Sequence, residues 1–172
     1  MAAGSVLDVR PLRGDDEVED CARLMASSEP WLTLGRDCAA SRTILTNPAK
    51  EIYWIGSHGE WAGFLILDLH GPFRGYLQTI CLRPELRGRG LGSAVIQWAE
   101  DRLFRESPNV FMCVSDFNPN ARRLYERLGY EVVGELHDFL VPGHAETLLR
   151  KTRGTWQDFG TERAERTEKT ER

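Results

Sequence analysis

Along roughly the first 150 residues, apolar side chains recur with two rhythms, every second position or every third and fourth, and each switch marks an element. Ser5 to Leu12 alternates as a strand. Asp15 to Ser27 follows as a helix, with Val18, Cys21, Leu24 and Met25 on one stripe. Arg36 to Thr46 is a second, weaker helix ended by Asn47-Pro48. Glu51 to Gly56 and Trp61 to His70 flank Ser57-His58-Gly59-Glu60 and predict a hairpin. Tyr76 to Leu82 is the next strand, and a Gly/Arg-rich loop then opens a helix of about four turns with Leu91, Val95, Trp98, Ala99 and Leu103 inward. Val110 to Ser115 is a strand, Pro119 to Leu128 a helix, and Tyr130 to Val141 and Glu146 to Lys151 are the last two strands. Helices between strands imply a mixed sheet with a parallel portion, so the class is α/β or α+β.

The pattern stops near Thr152. Thr161 to Arg172 reads TERAERTEKTER, with nothing apolar larger than Ala. Its pairs Glu162–Arg166, Glu165–Lys169 and Glu168–Arg172 each give a helix about 0.2–0.5 kcal/mol, too little to nucleate a short isolated one. The expected division is one domain over residues 1–152 and a charged, disordered tail over 153–172, with Trp156 and Phe159 free to dock on the domain or to dangle.

Composition narrows the function. The 172 residues are 41% hydrophobic and 28% charged, which suits one core. Lys and Arg number 22 against 26 Asp and Glu, a net charge of -4 that does not attract nucleic acid or an anionic membrane. Cys21, Cys38, Cys81 and Cys113 form no C-x-x-C pair, so neither a zinc site nor a disulfide framework is expected, and no metal is assigned. The start MAAGSVLDVRPLR lacks a secretory pattern and no apolar run is long enough to span a bilayer, which predicts a cytoplasmic protein.

The chemistry concentrates between Tyr76 and Phe104, in YLQTICLRPELRGRGLGSAVIQWAEDRLF. A strand ends at Leu82, and Gly88, Gly90 and Gly92 fall where the next helix begins, leaving main-chain N–H groups uncovered beside Arg83, Arg87 and Arg89. Uncovered N–H groups, the helix dipole and arginines together suit a di- or multi-phosphate. Neither common phosphate loop is present. No Lys follows these glycines, as a P-loop requires, and G-x-G-x-x-G fails at Ser93 or Val95.

Arg87-Gly88-Arg89-Gly90-Leu91-Gly92 resembles the [R/Q]-x-x-G-x-[G/A] loop of the GNAT superfamily of acyl-CoA-dependent N-acetyltransferases. The run Asn118-Pro119-Asn120-Ala121-Arg122-Arg123-Leu124-Tyr125-Glu126-Arg127-Leu128-Gly129-Tyr130 is similar to that superfamily's N-x-x-A-x-x-L-Y-E-x-x-G-[F/Y] segment. The run also makes sense locally: Asn118 can cap, Pro119 fits the first helical position, and Ala121, Leu124, Tyr125 and Leu128 share one stripe. The resemblance implies a mostly antiparallel mixed sheet of about six to seven strands with flanking helices and a splayed strand pair that binds acyl-CoA.

The resemblance further implies direct attack of an amine on acetyl-CoA in a ternary complex. Ile80, Cys81 and Leu82 would lie along the pantetheine, with the Leu82 N–H polarising the thioester carbonyl. Arg87, Gly88, Arg89, Gly90, Leu91, Gly92 and Ser93 would hold the diphosphate, Asn118 would touch the cofactor or a nearby water, and Tyr125 would protonate the departing thiolate. Ribosomal-protein alanine acetyltransferases, which the chain resembles in both blocks, carry a glutamate five positions before that Asn; here the position is Cys113. Asp116, Asp68, Glu135 and His137 are substitutes for the missing base, each with a structural explanation of its own.

The acceptor, a small-molecule amine or a protein or peptide amine, would enter beside the linker Ser27 to Arg36 and the last hairpin with Phe139, His144 and Glu146. Trp31 and Phe139 are the candidate walls, Trp31 alternatively a plug beneath the first two helices. GNAT domains often pair through their terminal strands, so a homodimer is compatible. A competing reading is a non-catalytic acyl-CoA sensor. Nucleic-acid binding is disfavoured because no aromatic platform accompanies Arg83, Arg87, Arg89, Arg122, Arg123 and Arg127.

Overall fold

A computed structural model describes residues 7–161. Ser5 and Val6 of the first strand, and the ion pairs drawn from Glu162 to Arg172, lie outside the described residues. Seven strands, β1 (Leu7–Pro11), β2 (Glu51–Ser57), β3 (Glu60–Asp68), β4 (Tyr76–Leu82), β5 (Asn109–Ser115), β6 (Glu131–His137) and β7 (Ala145–Thr152), form one sheet in the order β1-β2-β3-β4-β5-β7-β6. All neighbouring pairs are antiparallel except β4 and β5. Four α-helices flank it: α1 (Gly14–Ala26), α2 (Cys38–Leu45), α3 (Leu91–Leu103) and α4 (Pro119–Arg127).

The helices cover both faces, which explains why β3 is apolar without interruption from Phe64 to Leu67. Phe64 and Ile66 turn toward α1 and α2 and join Val18, Cys21, Ala22, Met25 and Trp31. Leu65 and Leu67 turn the other way and join Leu91, Val95, Ile96, Ala99 and Leu103 of α3. Because α1 exposes three acidic residues in its first turn, it needs little else at its start; Glu17 accepts from the Arg13 N–H (2.7 Å) and pairs with Arg10. Two differences from the periodicity have local causes. Ile96 and Glu100 join the buried side of α3, Glu100 being tolerated there because the Lys151 ammonium donates to it (2.7 Å). β6 ends at His137 rather than Val141, because Asp138 turns to φ 51 and its carboxylate accepts from the Gly143 N–H (2.6 Å), closing a loop that carries Phe139 and Leu140.

After β7, residues 156–161 are helical, and Trp156 and Phe159 meet edge to face. Among the described residues no helix is long and apolar enough to cross a membrane.

Candidate active site

β4 and β5 pair at one point. Tyr76 stands opposite Phe111, and the Phe111 N–H donates to the Gly75 carbonyl (3.0 Å). Gly75 permits this approach: its φ is 86°, and a Cβ there would lie 2.2 Å from the Asn109 carbonyl oxygen. Beyond it the strands part, and the main chain of β4 facing the gap loses its partner. The Arg83 N–H donates across to Ala62 (2.9 Å); since successive residues of a strand point their N–H groups to opposite sides, those of Ile80 and Leu82 face the gap.

The loop after β4 runs through a single 3₁₀ turn, Pro84–Leu86, into α3. Gly90 caps α3 with φ 84° and no side-chain cap, so the first N–H groups of the helix have no intrahelical partner. A Cβ added at Gly88 or Gly90 would meet nothing within 4 Å. Packing does not demand these glycines; the backbone conformation does, and the space beside them stays open. Arg87 is anchored at the mouth, its Nε donating to the Leu82 carbonyl (2.9 Å). A cavity of about 610 Å³ follows, lined by Leu82, Arg87, Gly88, Gly90, Gly92 and Ser93 among others. The exposed Arg89 does not line it, Leu91 is buried in a core and can serve it only by main chain, and Cys81 is buried in the other core with its main chain turned to β3. Arg83 is engaged elsewhere, by Glu85 and by the Trp61 carbonyl (3.0 Å).

A second cavity of about 370 Å³ lies on the inner side of the gap. The two cavities share Pro30, Trp31, Ile80, Asn118, Ala121 and Tyr125 as walls. Tyr125 and Asn118 from one segment of the sequence, Ile80 from a second and Trp31 from a third meet here. Asn118 caps α4 through the Ala121 N–H (3.3 Å), which fixes where Tyr125 emerges two turns on. The α4 stripe is half-buried rather than buried, because its outer flank faces the cavities. Burial pushes the Tyr125 phenol up to about 12, so it holds its proton at neutral pH. Trp31 packs under α1 and lines each cavity. Phe139 and Leu140 form the outer wall of the inner cavity.

Of the four substitutes for a base, Asp68 alone lines the inner cavity, and it is already occupied: it pairs with Lys50 and accepts from His70 and Gly71 N–H groups (2.9 and 3.1 Å). Burial pushes its carboxyl up, yet Lys50 and these N–H groups outweigh that and hold it below the usual range. Asp116 braces the last hairpin through His144 (2.9 Å) and the Ala145 N–H (3.0 Å), and Glu135 and His137 contact one another at the surface. The buried carboxylate in the cavity wall is Glu146, bonded to the Ser115 hydroxyl across the β5–β7 pairing. Burial pushes its pKa up and neighbouring Asp116 adds to this, while the Ser115 hydroxyl pulls partly back. Its charge is felt at Cys113, so a carboxylate reaches the vicinity of the position that lacks one, from the adjacent strand. Glu146 was expected beside the acceptor as part of the last hairpin but not as a base; Gln78, also in the wall, has no sequence signal, being the unpaired residue of a bulge in β4. Among the described residues no group of three or more His, Cys, Asp or Glu could hold a metal ion.

Known proteins share the family signature and the fold. Residues 16–130 match the model of the acetyltransferase (GNAT) family. The chain is 28% identical over 147 residues to an uncharacterized N-acetyltransferase of Lactobacillus delbrueckii subsp. lactis, 80% of each being covered. It is 26% identical over 106 residues to the spermidine N(1)-acetyltransferase of Escherichia coli K12, covering 59% of this chain and 57% of that one. Among solved structures, an acetyltransferase of the GNAT family from Desulfovibrio desulfuricans superposes with a TM-score of 0.69 at 15% identity, over 86% of this chain and 99% of that one. Mutant forms of the spermidine/spermine N-acetyltransferase of Vibrio cholerae give 0.65 at 19%, over 88% and 98%. With a seven-stranded sheet of matching fold and a family match over most of its length, the chain belongs to the GNAT family of acetyltransferases.

Proposed function

We propose that the protein transfers an acetyl group from acetyl-CoA to a primary amine, by direct attack in a ternary complex. The observation that carries this is the meeting of two cavities at the parting of β4 and β5, with the Tyr125 phenol in the shared wall. The larger cavity fits acetyl-CoA on three counts: uncapped N–H groups of α3, open space at Gly88 and Gly90, and the N–H groups of Ile80 and Leu82 that face the gap.

Acetyl-CoA supplies an acyl thioester whose carbon accepts the amine and whose sulfur leaves. The N–H groups from Gly88 to Ser93, with Arg87 and Arg89, bind the diphosphate. Ile80 and Leu82 would position the pantetheine arm through the N–H groups that face the gap, the Cys81 main chain between them turning to β3, and the Leu82 N–H would polarise the carbonyl oxygen. Tyr125 gives its proton to the sulfur as the C–S bond breaks and the C–N bond forms, and Asn118 holds the cofactor or a water beside it. Glu146 takes the proton that the amine sheds, its raised pKa bringing it closer to the working pH. Trp31 and Phe139 wall the acceptor's side.

The spermidine acetyltransferases among the relatives favour a small-molecule amine as acceptor over a protein. Cys21, Cys38, Cys81 and Cys113 are all free, which fits a reducing compartment such as the cytoplasm. β6 is an edge strand with Val132, Val133 and Leu136 exposed, a surface on which a second copy would pair. The test is a thiol-release assay with acetyl-CoA across a panel of amines and peptides. Release that depends on an added amine is expected; acetyl-CoA binding with no release in any pool would overturn the enzymatic reading in favour of a sensor.

A further inference from the structure

The inner cavity holds polar groups whose own partners are missing. Arg36 closes the loop between α1 and α2, its N–H donating to the Trp31 carbonyl (3.0 Å), and its side chain lines the cavity. The guanidinium is half-buried and has no ion-pair, hydrogen-bond or ring partner among the described residues. Lys50, on the same wall, is neutralised by Asp68. Burial lowers the pKa of Arg36 without any opposing carboxylate. A guanidinium drawn out of water without an anion is a cost that a ligand anion would recover, and its planar fork suits a carboxylate. Elsewhere in the wall, the Gln78 Oε1 is buried with no hydrogen-bond partner, and Glu146 presents its carboxylate. Gln78 and Glu146 can take N–H donors; Arg36 cannot.

Resting on the acetyl-transfer reading above, we propose that the acceptor is a small primary amine that carries its own carboxylate, gripped by Arg36 while Gln78 Oε1 and Glu146 receive the amine. A polycation would instead meet a like charge at Arg36, and nothing in the cavity beyond Asp68, already paired, and Glu146 would offset it. The specificity thus differs from that named for the spermidine acetyltransferases, although the fold is shared.

The experiment is steady-state thiol release by the full chain with acetyl-CoA and matched acceptors: lysine beside cadaverine, phenylalanine beside phenethylamine, and spermidine. We expect kcat/KM for the carboxylate member of at least one pair to exceed its decarboxylated partner by about tenfold or more, as loss of a charge-assisted hydrogen bond would give. In Arg36→Gln that ratio should fall toward one through KM, and Arg36→Lys should restore part of it, with thermal melting confirming that both variants fold. Preference for cadaverine, phenethylamine or spermidine, or a ratio that survives in Arg36→Gln, overturns the proposal while leaving acetyl transfer intact. Absence of release with every amine overturns acetyl transfer and this proposal together.

Discussion

Tyr125 lies half-buried at the junction of two cavities, and burial keeps the proton on its phenol at neutral pH, as the proposed donor to a leaving thiolate must. Tyr125→Phe is therefore expected to lower kcat by about 100-fold or more with little change in the acetyl-CoA dissociation constant, measured by thiol release beside calorimetry; full activity in the variant would remove Tyr125 from the chemistry. Glu146 makes a pH prediction. Only its carboxylate form can accept a proton, and burial raises its pKa, so activity should fall as pH drops through a value above the ordinary glutamate range. Glu146→Gln should lower kcat and erase that acidic limb from the pH profile; an unchanged limb would assign it to another group. Tyr125 and Asn118 were legible in the sequence because one helix carries both at fixed spacing. Arg36 and Glu146 were legible only as members of the linker and hairpin beside the acceptor, and Gln78 not at all, because what distinguishes all three is a missing partner or a strand neighbour that only the sheet supplies.

The start of α3 shows what one loop contributes. Gly90 sits at φ 84° in open space, so Gly90→Ala meets no clash and suffers chiefly the left-handed backbone penalty of about 1–2 kcal/mol. The expected result is a folded variant with a melting temperature lower by about 2–8 °C and weaker acetyl-CoA affinity, read by scanning calorimetry and titration. Unaltered affinity would show that the loop's main chain does not reach the ligand. The strands and helices were readable from periodicity with ends shifted by a residue or two. β6 was overextended because Phe139 and Leu140 look like strand residues, whereas Asp138 and Gly143 turn the chain before them. The half-burial of α4 was also hidden, since a stripe that faces a cavity has the same spacing as one that faces a core.

At the scale of the molecule, the sheet separates two apolar cores and opens where its one parallel pair fails to continue. Alternating strands and helices made a mixed sheet legible, but a pairing confined to Tyr76 and Phe111 depends on the Gly75 contact and has no local signature. The free edge of β6 predicts self-association: light scattering should show a dimer, and Val133→Lys, at a position 55% exposed, should shift it to monomer. A wild-type monomer at all concentrations would leave that edge without this role. In the proposed function, the gap between β4 and β5 and the uncapped start of α3 together hold an acyl-CoA. Calorimetric titration of the full chain with acetyl-CoA tests it most directly: saturable binding of one molecule per chain is predicted, and the absence of binding up to about 1 mM, the upper end of ordinary substrate constants, would contradict it.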